Sequence, residues 1–168
     1  MHEEPMTLVL NHKQIQQKII RMAYEIYERN ASEETIILAG IRGMGKHLAV
    51  YLAENLEKIS PIKAQVAEIL LDKEDVNRGD VSLSIDISLE NQCVIIVDDV
   101  LNTGKTLVYA LKPFLDAPIK KMEVAVLVNR SHKLFPVTPD YTGLELATTL
   151  SEHITVDLSK ENHSVHLH

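Results

Sequence analysis

The stretch Cys93 to Thr106, CVIIVDDVLNTGKT, constrains the fold more than any other part of the chain. Val94 to Val97 is a continuous apolar, β-branched run. That is the pattern of a strand buried on both faces of a parallel sheet. Asp98 and Asp99 place two carboxylates at its carboxyl end, where open α/β sheets bind their ligands. Asn102 to Thr106 is a short turn of small and polar residues. An apolar helical pattern follows it through Leu107, Val108, Ala110, Leu111, Phe114 and Leu115. A turn of this kind at a helix start offers backbone N–H groups, hydroxyls and the positive end of the helix dipole, which together make an anion site. The aspartates beside it suit sugar hydroxyls or a Mg²⁺ ion rather than the anion itself. Phosphate, sugar diol and metal in one place describe a ribose 5-phosphate.

Spacing excludes two other phosphate motifs. Gly104-Lys105-Thr106 looks like the end of a Walker A loop, but the position that must hold its first glycine is Asp99. Gly43-Met44-Gly45 opens a dinucleotide-binding fingerprint, but the third glycine position holds Leu48.

The remaining chain repeats the same βα order. Asn11 is a candidate N-cap, and Ile15, Ile19, Met22, Ala23 and Ile26 keep helical spacing to about Arg29. Thr35 to Ala39 reads as a buried strand and Gly40 to Gly45 as a loop whose three glycines let the backbone approach an anion. Arg42 adds a bidentate donor for phosphate. A second helix carries Leu48, Ala49, Leu52, Ala53 and Leu56 and stops at Ser60-Pro61. Ala64 to Leu71 and Lys121 to Val128 are further apolar strands, the latter ending in Asn129-Arg130-Ser131-His132-Lys133 on the ligand side. Pro136, Pro139 and Gly143 mark an irregular segment, and Glu145–Thr149 and Ile154–Leu158 are short strand candidates. This predicts an α/β fold with a doubly wound, mostly parallel sheet flanked by helices.

Asp72 to Asp80 is a charged run, and Leu83, Ile85 and Ile87 alternate with polar residues after it. Two readings stand: a surface hairpin, or a lid that closes over the site with Lys73 and Arg78 reaching an anion. The 168 residues predict one domain, with residues 1–10 and 159–168 as frayed termini. The histidines His163, His166 and His168 are read as part of a solvated tail, with metal binding as the alternative. Met1 to Pro5 is acidic, without the features of a signal peptide, and no apolar run has the length of a membrane span. The single Cys93 excludes an internal disulfide framework and suits a reducing, cytoplasmic setting as a structural thiol. The net charge of −7 argues against strong RNA or DNA binding, which draws on neutralising phosphates with Lys and Arg.

The Asp98–Thr106 segment resembles the PRPP-binding motif of type I phosphoribosyltransferases, PRPP being 5-phosphoribosyl 1-pyrophosphate. More closely, Val97 to Thr106 is similar to the VDDVLYTGRT form of the PyrR family. Leu127 to Pro136 with Pro139 to Gly143 is similar to that family's LVDRGHRELP and PDYVG segments. The resemblance runs from the first helix to Leu158. It implies a phosphoribosyltransferase fold with a flexible hairpin lid and a small hood, forming a homodimer or homotetramer. The implied activity is transfer of ribose 5-phosphate from PRPP to a pyrimidine base, uracil to UMP, with Mg²⁺ and release of pyrophosphate. Carried over by position, Asp98 and Asp99 hold the ribose, and Mg²⁺ through PRPP. Val100, Leu101, Asn102, Thr103, Gly104, Lys105 and Thr106 complete the ribose and 5-phosphate site. Ile41, Arg42 and Gly43 form the pyrophosphate loop, Arg78 joins Asp98 and Asp99 in catalysis, and Arg130 and His132 lie at the base. Two alternatives stay open: a regulator that senses PRPP or UMP and binds RNA with little catalysis, and a purine phosphoribosyltransferase. The chain departs from the pattern where Gly43-Met44 replaces a Thr-Arg pair and Asn102 replaces a tyrosine.

Overall fold

Two apolar clusters lie on opposite faces of a six-stranded sheet, and the residues that separate them are the buried strands read from the sequence. The computed structural model describes residues 6–72, 74 and 79–168. The elements in order are β1 (Thr7–Leu10), α1 (His12–Arg29), β2 (Thr35–Ile41), α2 (Met44–Ile59), β3 (Lys63–Leu70), β4 (Ser82–Leu83) and β5 (Cys93–Leu101). They continue with α3 (Lys105–Ala110), α4 (Lys112–Leu115), β6 (Lys121–Arg130), β7 (Tyr141–Leu146), β8 (Ile154–Asp157) and β9 (Ser164–Leu167). The main sheet has the order β4-β3-β2-β5-β6-β7. All pairs are parallel except β3–β4. β5 is central, and Cys93 to Val97 are fully buried, as a doubly covered strand requires.

Each face is built from a legible pattern. Asn11 caps α1 in a reciprocal capping box: its side chain accepts from Gln14 N, and its own N–H donates to Gln14 Oε1, both at 2.9 Å. Ile15, Ile19, Met22 and Ile26 of α1 join Leu48, Leu52 and Leu56 of α2 over Ile36, Leu38, Ile95 and Val97. On the other face Leu107, Ala110 and Phe114 cover Ile37, Ala39, Val94 and Ile96. The helical pattern after the turn divides into α3 and α4, because Pro113 has no N–H and its ring clashes with the preceding turn. Leu115, expected on the apolar face, is 67% exposed.

Several sequence expectations are corrected. β5 runs on to Leu101, so Asp98 and Asp99 are strand residues. β2 runs to Ile41 and α2 starts at Met44, so the expected Gly40–Gly45 loop shrinks to Arg42 and Gly43. β6 extends through Asn129 and Arg130. The 83–87 alternation forms a strand only at Ser82–Leu83. The lid assignment of Lys73 and Arg78 lies outside the described residues.

The described part of the termini is not frayed. β1, β9 and β8 form a second, three-stranded antiparallel sheet in that order, with Thr7 opposite Leu167. Leu10, Val156 and Val165 of this sheet pack into the α1/α2 cluster, which offsets the entropy of ordering the chain ends. His163 is likewise buried, its ring 4.7 Å from His12 and 5.0 Å from Tyr51. Among the described residues no group of three or more His, Cys, Asp or Glu could hold a metal ion, and no helix is long and apolar enough to cross a membrane.

A buried polar network closes the amino ends of β5, β6 and β7. Asn30 Nδ2 donates to Ile26 O and Glu123 Oε1, both at 2.9 Å, and to Tyr141 Oη at 3.1 Å. The Tyr141 hydroxyl donates to Glu123 Oε1 at 2.9 Å. Cys93 Sγ donates to Asn30 Oδ1 at 3.5 Å. Burial pushes the Cys93 thiol up to about 11, which keeps it protonated and structural.

Candidate active site

Sheet register assembles the site. β2 and β5 pair with Gly40 opposite Val97, so the chain leaving β2 at Arg42 runs beside Asp98 and Asp99. Two glycines make this closeness possible. A Cβ on Gly40 would lie 2.6 Å from Gly45 O, and one on Gly45 would lie 2.8 Å from Val97 O and 3.0 Å from Asp98 Oδ1. These glycines let α2 press onto β2 and β5 rather than approach an anion, a role glycine patterns alone do not reveal. Gly43 is different. Its φ is 99°, nothing lies within 4 Å of its Cβ position, and with Arg42 it is exposed. Ile41, expected in the same loop, is a fully buried strand residue.

Asp98 through Leu107, with Ile154 of β8, line a cavity of about 310 Å³. All nine residues expected at the ribose and 5-phosphate therefore face one space. Adjacent strand residues normally point to opposite faces. Here Val97 and Val100 both belong to the α1/α2 side, so the alternation breaks at Asp98–Asp99 and both can line the cavity. Asp98 is 6% exposed, and its Oδ1 accepts the Asp99 N–H at 2.9 Å. Gly104 caps α3 in the left-handed region, with φ 93° and no side-chain cap. With no side chain over the helix start, its N-terminal end stays open toward the cavity, an arrangement that suits a bound anion. Thr103 Oγ1 accepts from Lys105 N at 3.3 Å, and Gly104 O accepts from Val108 N at 3.0 Å.

The loop is braced from outside. Thr103 O accepts from both Leu134 N at 2.9 Å and Phe135 N at 3.0 Å. Phe135 and Val137 press on the Gly104 Cα, leaving a Cβ only 2.6 Å from Val137 Cγ2. The sequence reading missed this brace and missed Ile154; neither residue type carries a chemical signal.

Arg42 lines a second cavity of about 580 Å³ with Leu70, Leu71, Asp72, Glu74, Gly79 and Asp80. It opens between the β2 exit and the β3–β4 connection. Arg130 and His132 line neither cavity. His132 Nε2 donates to Thr148 O. Arg130 reaches Asn102, Thr148, Thr149 and Glu152. Lys133 Nζ donates to Arg130 O, and to Asn129 Oδ1 at 2.5 Å; desolvation holds its ammonium below the usual lysine range.

The oxygen donors fit a Mg²⁺ ion held jointly with a ligand. Mg²⁺ takes one or two carboxylates and completes its shell with phosphate oxygens and water. Asp98 and Asp99 supply such a pair at one wall of the 310 Å³ cavity.

Comparison with known proteins identifies the family and the fold. The phosphoribosyl transferase domain family matches residues 6–161. The bifunctional protein PyrR of Enterococcus faecalis is 33% identical over 165 residues, covering 94% of this chain and 93% of the relative. That of Macrococcus caseolyticus is 34% identical over 160 residues, covering 91% and 92%. Among solved structures, the hypoxanthine phosphoribosyltransferase of Trypanosoma cruzi superposes with a TM-score of 0.71 at 17% identity, covering 84% of this chain and 82% of that one. A hypoxanthine-guanine phosphoribosyltransferase of Bacillus anthracis does so at 0.70 and 19%, covering 96% and 99%. At such identities the structural likeness speaks for the fold alone.

Proposed function

The chain belongs to the phosphoribosyl transferase domain family, alongside its PyrR members, and on that premise we propose that it transfers ribose 5-phosphate from PRPP to uracil, giving UMP and pyrophosphate. The observation that carries this reading is the single cavity lined by the whole Asp98–Thr106 run, with a buried aspartate at one wall and a glycine-capped helix start at the other. Its volume suits a ribose 5-phosphate with the base and pyrophosphate extending outward.

The chemistry follows from charge. A base nitrogen forms a bond to C1 of the ribose as the bond from C1 to the pyrophosphate oxygen breaks, and the proton on that nitrogen leaves to solvent or to the departing pyrophosphate. Positive charge builds on the sugar in a transition state that resembles an oxocarbenium ion. The Asp98 and Asp99 carboxylates accept from the ribose hydroxyls and lie close enough to favour that charge. The 102–106 loop anchors the 5-phosphate, which fixes C1 relative to both partners. Arg42 and Gly43 lie where the β2 exit meets the second cavity, and an exposed guanidinium there suits the departing pyrophosphate. Asp98 and Asp99 would hold a Mg²⁺ ion together with PRPP, and the ion would supply charge neutralisation for the pyrophosphate.

The PyrR relatives and the 127–143 resemblance support uracil as the base. The net charge of −7 weighs for the enzyme over the RNA-binding regulator. The test is PRPP-dependent pyrophosphate release with Mg²⁺ across uracil, orotate, hypoxanthine, guanine and adenine. Turnover with uracil, abolished by Asp98→Asn combined with Asp99→Asn, is expected. Turnover with a purine alone refutes the base assignment. Saturable UMP binding without turnover on any base favours the regulator.

A further inference from the structure

We propose that Arg130 is a positioning residue that fastens the 5-phosphate loop, through Asn102, to the 148–152 segment, rather than a contact to the base. This rests on the reading of the 102–106 loop as a phosphate site.

Register brings the two residues together. β5 and β6 pair with Leu101 opposite Asn129, so the next residues in each strand direction are Asn102 and Arg130. β6 and β7 pair with Arg130 opposite Leu146, which brings the chain leaving β7 to the same corner. Arg130 bridges the two sides. Its Nη1 donates to Asn102 Oδ1 at 2.9 Å. Its Nε donates to Thr148 Oγ1 at 2.9 Å, and its Nη2 donates to Glu152 O at 2.7 Å and Thr149 O at 3.2 Å. All three guanidinium nitrogens are engaged, and the planar fork fixes the geometry of the whole set.

The far end of the bridge is itself held. Glu152 Oε1 accepts from Thr149 N at 2.7 Å, and that bond keeps the Glu152 carboxyl below its usual range. Ile154, two residues on, lines the same cavity as Asn102. Arg130 therefore ties the phosphate loop to the 148–152 segment that leads into β8, whose Ile154 lines the ligand space. The loop has a second tether on its other flank, where Leu134 N and Phe135 N donate to Thr103 O. Losing Arg130 leaves the loop in place but free to swing about Thr103.

This predicts selectivity in the kinetics. Arg130→Gln and Asn102→Ala each raise the KM for PRPP by roughly tenfold, the worth of one charge-assisted hydrogen bond. The KM for the base stays within about twofold. Because Arg130 acts through Asn102, the double variant is no worse than the poorer single variant. Arg130→Lys, which keeps one donor without the fork, recovers part of the loss. The second readout needs no ligand: amide hydrogen exchange across residues 102–107 quickens in each single variant and no further in the double. Additive effects, or a rise in base KM with PRPP KM unchanged, overturn the proposal. Wild-type protein that binds no ribose 5-phosphate by calorimetry instead overturns the phosphate-site reading, and the exchange cycle then decides the Arg130–Asn102 coupling by itself.

Discussion

Gly104→Ala probes the 102–106 loop, proposed to hold the phosphate, at its tightest point. Two terms oppose the new methyl group. The φ of 93° lies in the left-handed region, which disfavours an L side chain by about 1–2 kcal/mol. The Cβ would also stand 2.6 Å from Val137 Cγ2 and 3.3 Å from Phe135 Cβ. Overpacking of that kind adds about 1–3 kcal/mol. If the loop must hold this geometry to receive a phosphate, the combined ~2–5 kcal/mol appears in ligand affinity, a loss between roughly 30-fold and several thousandfold. Calorimetric titration with ribose 5-phosphate reads it directly. Val137→Ala removes the crowding atom and leaves the backbone strain, so in the double variant the loss relative to Val137→Ala alone shrinks to about 5–30-fold. Binding by Gly104→Ala within about twofold of wild type would refute the argument that this backbone conformation forms the site. An equal loss with and without Val137 would refute the crowding half of it.

Gly45→Ala should act by a different route, since its Cβ meets the Val97 carbonyl at 2.8 Å and cannot displace strand backbone cheaply; the melting temperature falls with about 1–3 kcal/mol of stability, and the PRPP KM rises as Asp98 moves. Tyr141→Phe removes a donor to Glu123 and an acceptor for Asn30 in a buried network, so urea titration should show a loss of about 1–3 kcal/mol with PRPP KM unchanged, because the network sits at the opposite strand ends from the cavity. Burial, then the His12 ring, then His47, hold the His163 imidazole below its usual range, while Asp157 opposes them. Its folded pKa is depressed, so the unfolded chain binds more protons below pH 6.5, and stability present above that pH is lost as pH falls toward the lowered folded value. Thermal melts from about pH 7.5 to 5 should show this slope, and His163→Gln should flatten it.

The core was legible because its signals are local and redundant. The apolar runs of β2, β5 and β6 are too continuous for half-exposed strands, so a parallel sheet with both faces covered follows from them directly. Asn11 announces the start of α1 as its N-cap, and the structure adds Gln14 as the other half of the capping box. The second sheet was legible only at β8, which the Ile154–Leu158 strand candidate anticipates; β1 and β9 were not legible, although they are equally simple strands. Thr7 pairs with Leu167, and neither segment carries enough apolar length to declare itself before the other is in place. His163, His166 and His168 pulled the reading further toward a solvated tail. In the fold, Val165 between them is fully buried and His163 packs on α1 and α2.

The site divides along the same line. Asp98 to Thr106 are contiguous, so their chemistry could be read from one string, and the fold had only to keep them on one cavity wall. Its loop geometry depends instead on residues whose identity says little. Gly40 and Gly45 advertise backbone freedom, yet what they provide is absence of volume between α2 and the strands β2 and β5. Arg130 advertises anion or base recognition, yet its donors are directed to Asn102 and the 148–152 segment. That partnership depends on two successive parallel registers, β5 with β6 and β6 with β7, and shifting either by one residue would turn Arg130 to the other face of the sheet. A side chain's chemistry can be read from its own position, but which partner uses it is a property of strand pairing.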